Sequence, residues 1–415
     1  MFISKKSVVA ATASAVLLFG TMAPLAFAEE LTISGNGQSA TSAINVSSPQ
    51  TTTVTQSNSA AITNNVTAEA SSGSNHANGN TGGSVTVGTG AASSTVNVTN
   101  RANVNIADPN SCCNNQNGSV TISGNGEKST NTANLTAPNT HTTSQTNTAA
   151  ISNTVNNEAS SGENHANGNT GGPVSITAGA ATSNVTLNNM ANANISGKSR
   201  GVGTGAGTLS VKIMDNGKSS VNTIALLVPQ TTTLAQNNAA SFSNSVDAEA
   251  ESGGNHANGN TGGLVSITAG AATSMVDITN AANFNSADID CGCLLNLTAK
   301  IDHNGELTTN TINATMGNTL ALGQSNGGPG FSNTVTPEAS SGDNQANSNT
   351  EGSSSDDPSI TTQAANSTVT LNNSGNANVA GSSPRPIVIL PGGTSLSFSF
   401  DFAGLSALLS MLGLH

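Results

Sequence analysis

The sequence predicts an all-β fold: a repetitive β-solenoid of four repeats of about 89 residues each, with a tandem array of β-sandwich domains as the alternative. Three observations carry this: a motif that returns at fixed intervals, a period-two alternation inside each copy, and a stock of apolar residues too thin for a conventional core. The run Asn75-His76-Ala77-Asn78-Gly79-Asn80-Thr81-Gly82-Gly83 recurs almost unchanged from Asn164 and Asn255, and more weakly from Asn344, so the starts lie 89, 91 and 89 residues apart. Gly35-Asn36-Gly37 likewise returns as Gly124-Asn125-Gly126, Asp215-Asn216-Gly217 and His303-Asn304-Gly305. Lengths held this constant imply fixed turns rather than a disordered polar chain.

Within the second copy, Asn147, Ala149, Ile151, Asn153 and Val155 alternate with Thr148, Ala150, Ser152 and Thr154. Val174 and Ile176, then Val185, Leu187 and Asn189, alternate in the same way. This is strand patterning. Glycine-rich runs such as Gly168-Asn169-Thr170-Gly171-Gly172 separate the strands and tolerate positive φ. The copy has few large apolar residues and no aromatic one. A sandwich core ~10 Å thick needs more, whereas a narrow solenoid stacks small inward residues and can stack asparagines as hydrogen-bonded ladders. Asn131, Asn147 and Asn164, each followed two residues on by alanine, suggest coils of 16 to 17 residues, about five to a repeat. Coils of that size would build a rod on the order of 100 Å long.

The expected boundaries are a signal peptide over 1–28, β repeats over 29–118, 119–208, 209–297 and 298–383 (the last degenerate), and an apolar C-terminal tail over 384–415. Lys5 and Lys6, the apolar stretch from Val8 to Phe19 and the small-x-small site Ala26-Phe27-Ala28 are the parts of an export signal. The apolar stretch is shorter than the ~20 residues that span a bilayer. Export to the extracellular space or cell surface is therefore expected, with no spanning segment in the mature chain.

Charged residues make up 8% of the chain and the net charge is −12, which disfavours nucleic acid as a partner. Gln145-x-Asn147-x-Ala149 recurs as Gln56-x-Asn58-x-Ala60 and Gln236-x-Asn238-x-Ala240. This unit resembles part of the curlin-type repeat, and the chain is similar to Asn/Thr/Gly-rich surface repeat proteins of bacteria. The curlin-type glycine after the first glutamine, and its second glutamine, are absent. The resemblance implies a surface β-solenoid that self-associates into fibres.

No catalytic, cofactor or metal residue is expected. Glu69, Glu158, Glu249 and Glu338 share one repeat position, and His76, His165, His256 and Gln345 another, seven residues on. Such a pair could bind metal or transfer protons, but a turn residue bonding loop backbone is the simpler reading. No calcium-loop spacing occurs, and Gly201-Val202-Gly203 lacks the lysine of a phosphate loop. Thr51-Thr52-Thr53 and Thr231-Thr232-Thr233 could lay a flat threonine array on one face, as on an ice-binding surface.

Cys112, Cys113, Cys291 and Cys293 are candidates for disulfides or cross-links. On the short-coil reading the two pairs would sit roughly 50 Å apart, which favours bonds between chains. Ile387, Ile389, Phe398, Phe400, Phe402, Leu405, Leu408 and Leu409 make the tail a candidate assembly element, with a short apolar helix over 404–414. The expected function is a secreted structural protein of the bacterial surface (stalk, fibre subunit or adhesin shaft), not an enzyme. The alternative is an extracellular module binding glycan, ice or a mineral surface.

Overall fold

The computed structural model describes residues 28–107, 117–196, 207–287, 296–350, 358–380, 387–389 and 395–397. The described elements are all β-strands. The first rung consists of β1 (Ala28–Ser34), β2 (Thr41–Ser47), β3 (Gln50–Ser71), β4 (Val85–Gly88) and β5 (Ala92–Ala107). The second rung repeats the set as β6 (Asn117–Ser123), β7 (Thr130–Thr136), β8 (Asn139–Ser160), β9 (Val174–Thr177) and β10 (Ala181–Ser196). The third has β11 (Thr208–Met214), β12 (Val221–Leu227), β13 (Gln230–Glu251), β14 (Val265–Thr268) and β15 (Ala272–Ala287). In the last rung the long strand is broken: β16 (Asn296–Asp302), β17 (Thr309–Thr315), β18 (Asn318–Asn326), β19 (Gly330–Ser340), β20 (Ser359–Thr361) and β21 (Ala365–Ala380).

Each strand pairs in parallel with its counterpart one rung away, so five sheets rise side by side, in the order β1-β6-β11-β16 and its equivalents. The register joins like to like: Ile62 to Ile151, Asn64 to Asn153 and Val66 to Val155. This is the parallel stacking of a β-solenoid, but the coil is much larger than the short-coil reading expects. Hydrogen-bonded neighbours along a sheet are one sequence repeat apart, as in Asn75 to Asn164, 89 residues on. A repeat is therefore one coil, not five. β8 alone runs 22 residues, about 70 Å of extended chain, with no turn that could close a coil of 16. Asn131, Asn147 and Asn164 are three different columns of one rung. Four strands at ~4.8 Å make each sheet only about 15 Å from first to last, so the ~100 Å rod along the stacking axis is overturned.

The rung is a flattened loop. β3 and β5 run past each other on opposite walls, and β1 and β2 do the same at the other end. Alternate residues of each wall point inward. In β8 every second residue from Gln145 to Val155 is buried, as the alternation predicts. Val66, Val155 and Val246 meet Val98, Leu187 and Ile278 in one apolar layer. Leu31, Ile33, Val120, Ile122, Val211 and Ile213 build another with Ile224 and Leu226. Alanines fill the narrowest part, where Ala92, Ala181 and Ala272 meet Ala159 and Ala250. The thin apolar stock suffices because small residues and amides fill the rest.

Two local features follow from the residue types. The Asn36 turn begins on a left-handed residue: Gly35 at φ 70°, Gly124 at 64°, Asp215 at 54° and His303 at 52°. Asp and His are among the side chains that tolerate this region. Asn103, Asn192, Asn283 and Asn376 also hold φ between 59° and 64°, inside the β5, β10, β15 and β21 strands. Ala102 and Asn103 are consecutive buried residues, so this left-handed asparagine is a kink, in register from rung to rung, at which the inward phase shifts by one residue.

Candidate functional site

The most organised chemistry lies in the interior. Asn58 donates its side-chain N–H to Asn105 Oδ1 at 2.8 Å, Asn105 to Asn147 at 2.9 Å, Asn147 to Asn194 at 2.8 Å and Asn194 to Asn238 at 2.9 Å. The line continues through Asn285 and Asn326 to Asn378. It zigzags between the two walls as it climbs. A second zigzag runs from Asn64 through Asn100, Asn153, Asn189, Asn244, Asn280 and Asn333 to Asn373.

Straight ladders stand beside them. Asn100, Asn189 and Asn280 each donate to the asparagine one rung on at 2.7 Å. Others rise from Asn36, Asn75, Asn80 and Asn103. Every one of these donates from the first rung toward the last. In the first zigzag the orientation is fixed, because the same Nδ2 atoms also donate to backbone carbonyls, which an oxygen could not do: Asn105 to Thr146, Asn147 to Ala193, Asn194 to Asn237. The glutamine ladder runs the other way, Gln145 donating to Gln56, Gln236 to Gln145 and Gln324 to Gln236, at 2.7 to 2.8 Å. The recurring Gln-x-Asn-x-Ala unit is thus two ladders side by side, of opposite polarity.

The glutamates and histidines form outer columns. Glu69, Glu158, Glu249 and Glu338 pair directly in register. Burial pushes the Glu249 carboxyl above its ordinary value, and Glu158 and Glu338 add to this. Glu251 is raised as well, by burial and then by Glu163. The His76 and His165 rings stack at 4.6 Å and 7°, and His165 meets His256 edge-on at 4.8 Å. Burial lowers the His165 pKa, as do His256 and His76, while Glu163 opposes them. Among the described residues, no group of three or more His, Cys, Asp or Glu is placed to hold a metal ion. The histidine is a bridge residue, its backbone linking His76, His165, His256 and Gln345 in parallel.

Two open depressions cross the outer faces, one over Asn45, Asn134, Leu227 and Thr315, the other over Ala61, Ala150, Ser241 and Gly330. Thr51, Thr140, Thr231 and Thr319 stand in register, and Thr53, Thr142 and Thr233 beside them.

Cys112, Cys113, Cys291 and Cys293 lie outside the described residues, but their flanks correct the distance argument. Ala107 and Ala287 precede the two pairs and are two rungs apart, about 10 Å, not roughly 50 Å. Of the tail, Ile387–Ile389 and Ser395–Ser397 form an antiparallel hairpin, β22 and β23, paired with each other rather than with the solenoid sheets. Phe398, Phe400, Phe402, Leu405, Leu408 and Leu409 lie outside the described residues, as do the signal-peptide residues 1–27. No described helix is long and apolar enough to cross a membrane. No protein-family model, curated protein or solved structure matches the chain.

The ladders were partly legible, since inward asparagines were expected to stack. The left-handed kink at Asn103 was missed. Its signal was a change of phase: Val96, Val98 and Asn100 alternate on even positions, and Asn103 and Asn105 on odd ones, as Val185, Leu187 and Asn189 give way to Asn192 and Asn194 in the next copy.

Proposed function

We propose that the chain is an exported structural protein of the bacterial cell surface, serving as a stalk, fibre subunit or adhesin shaft and not as an enzyme. One observation carries the reading: the two asparagine zigzags, eight amides each, that run from the first rung to the last. Such a filled, cross-braced interior supports a scaffold, and each ladder bond adds net stability on the order of 1 kcal/mol. Its partners are further copies or other surface components. The export signal at Lys5, Lys6 and Ala26-Phe27-Ala28 supports the location. The test is fractionation of the producing cell, with amino-terminal sequencing of the exported form. A chain beginning at Glu29 that protease removes from intact cells supports the reading, and a cytoplasmic chain retaining residues 1–28 overturns it.

The threonine columns at Thr51 and Thr53 favour a second reading, a binding face for a regular surface such as ice. Their spacing is ~4.8 Å between rungs and ~6.6 Å along the strand, set by the sheet itself. Thermal hysteresis in solutions of the chain separates this reading from a purely structural one.

A further inference from the structure

We propose that a second copy of this chain docks head to tail, its first rung on the last rung of the copy before it, so that copies build an open-ended filament. The inference rests on the structural reading above and names the partner and the surface.

The two ends of the stack are complementary. The interior asparagine ladders that climb through all four rungs donate from the first rung toward the last, so their side-chain N–H groups face out of the last rung and their carbonyl oxygens out of the first, while the exposed pair Asn134 to Asn45 on the outer face runs the other way. The ladder from Asn80 rises through Asn169 and Asn260 to Asn349 in the last rung, and Asn80 of a following copy would continue it. The glutamine ladder is reversed at both ends and fits the same arrangement. Two last rungs placed face to face would instead set donor against donor. Only a head-to-tail contact satisfies both polarities, and such a contact does not close on itself.

Glycine columns point the same way. A Cβ on Gly73, Gly162 or Gly253 would strike the glycine one rung higher, 1.8 to 2.0 Å from its carbonyl oxygen. Gly342 continues that column in the last rung, yet its Cβ would meet nothing within 4 Å, and its φ is not left-handed. At the other end, Gly126, Gly217 and Gly305 are each hemmed in by the rung below, while Gly37 of the first rung faces open space. Among the described residues, nothing within one chain requires glycine at 342 or 37. A copy stacked on each end does.

The last rung also leaves its inward apolar side chains uncovered. Ile301, Leu322, Ile360, Val369 and Leu371 are 39–50% exposed, whereas their third-rung counterparts Ile213, Leu234, Ile267, Val276 and Ile278 are 0–2% exposed. The tail is the rival cover for this end. Residues 381–415 contain neither Asn nor Gln, so they cannot extend any of the amide ladders. Pro337 removes one backbone donor from β19, a small loss along so long an edge.

The test uses the whole secreted chain with its four cysteines replaced by serine. Ser47 and Thr315 stand at the two ends of one outward column, Ser47 to Thr136 to Leu227 to Thr315. In the filament, Thr315 of one copy lies beside Ser47 of the next, at the ~5 Å Cα spacing a disulfide accepts. The double variant Ser47→Cys, Thr315→Cys should give a ladder of multimers on non-reducing gels, and either single variant should not. Gly342→Ala and Gly37→Ala should each abolish filaments seen by negative stain, with at least a tenfold loss of assembled mass. The melting temperature of the dilute chain should not change. A chain that sediments as a folded monomer up to about 100 μM overturns the proposal, as do filaments indifferent to Gly342→Ala. Cross-linked dimers from Ser47→Cys alone, or filaments that form only after deletion of 384–415, overturn it too. A monomer still found on the cell surface would remove this proposal and leave the structural reading standing.

Discussion

Asn153 donates its side-chain N–H to Oδ1 of Asn244 at 2.7 Å, across 91 residues of chain, and the same amide accepts from Asn64 and Asn100. It also donates to Asn189 at 3.1 Å. All of its hydrogen-bonding capacity toward side chains is used inside the protein, where water does not compete.

Replacing it by an apolar residue of similar size therefore strands four partners. Asn153→Leu should cost about 3 kcal/mol or more, because each buried amide left without a partner carries its own desolvation penalty. Asn333→Leu changes the same column in the half-buried last rung and should cost about 1 kcal/mol. Urea or thermal melts of the two variants check the ranking, and equal losses would mean that the ladder does not act through burial.

The left-handed kink separates two contributions at one residue. Asn192 holds φ at 64° and carries the ladder from Asn103 to Asn283, with 3.1 Å on each side. Asn192→Gly keeps the backbone unstrained and loses the ladder and the bond from Nδ2 to the Ala239 carbonyl. Asn192→Ala loses the same bonds and must also hold a Cβ in the left-handed region, about 1 kcal/mol more. The alanine variant should melt below the glycine variant, the reverse of the order expected in a flat strand.

Glu249 should make the protein less stable at neutral pH than in mild acid, as far as this group is concerned. The folded pKa of Glu249 is raised, by burial first and then by Glu158 and Glu338. Its favourable contribution is thus complete below the unfolded value of 4.5 and is lost as pH rises through the folded value. Glu249→Gln should stabilise the protein at pH 7 by on the order of 0.5 kcal/mol, read as a higher melting temperature, and the gain should vanish by pH 4. A gain that persists at pH 4 would assign it to something other than charge.

His141 acts in the opposite sense. It is 4% exposed, and burial holds its pKa below the ordinary 6.5. The neutral ring contributes stability above 6.5 that is lost as pH falls through the folded value. Its column neighbours are Thr52 and Thr232, so His141→Thr fits the same space. That variant should lose less stability than the parent between pH 6.5 and pH 4.5, measured by thermal melts at matched ionic strength.

The alternation at Asn147, Ala149, Ile151, Asn153 and Val155 was enough to read strands and to assign the inward face, since side chains on a strand point alternately to its two sides. Stacked asparagines were legible for the same reason. Coil size was not. Asn131, Asn147 and Asn164 are spaced as stacked coils would be, yet each climbs its own column, bonding to Asn222, Asn238 and Asn255. Spacing along a chain cannot distinguish neighbours along a strand from neighbours across rungs. Exact register between distant repeats can: Gln56, Gln145 and Gln236 sit at one repeat position and proved to be hydrogen-bonded to one another. The directions of the amide ladders, from which the two ends take their complementarity, depend on which carbonyls lie within reach and so needed coordinates.

The central claim is that one sequence repeat is one rung, and a single distance tests it most directly. Asn45 and Asn313 are exposed, lie in the column Asn45, Asn134, Ala225 and Asn313, and stand three rungs apart. Spin labels on cysteines placed there, in a chain otherwise free of cysteine and diluted with unlabelled protein, should give a mean separation near ~15 Å, broadened by the label arms. Coils of 16 to 17 residues would set the same two positions on the order of 75 Å apart. A distribution centred below about 25 Å is the result expected of one rung per repeat, and one centred beyond 50 Å would contradict it.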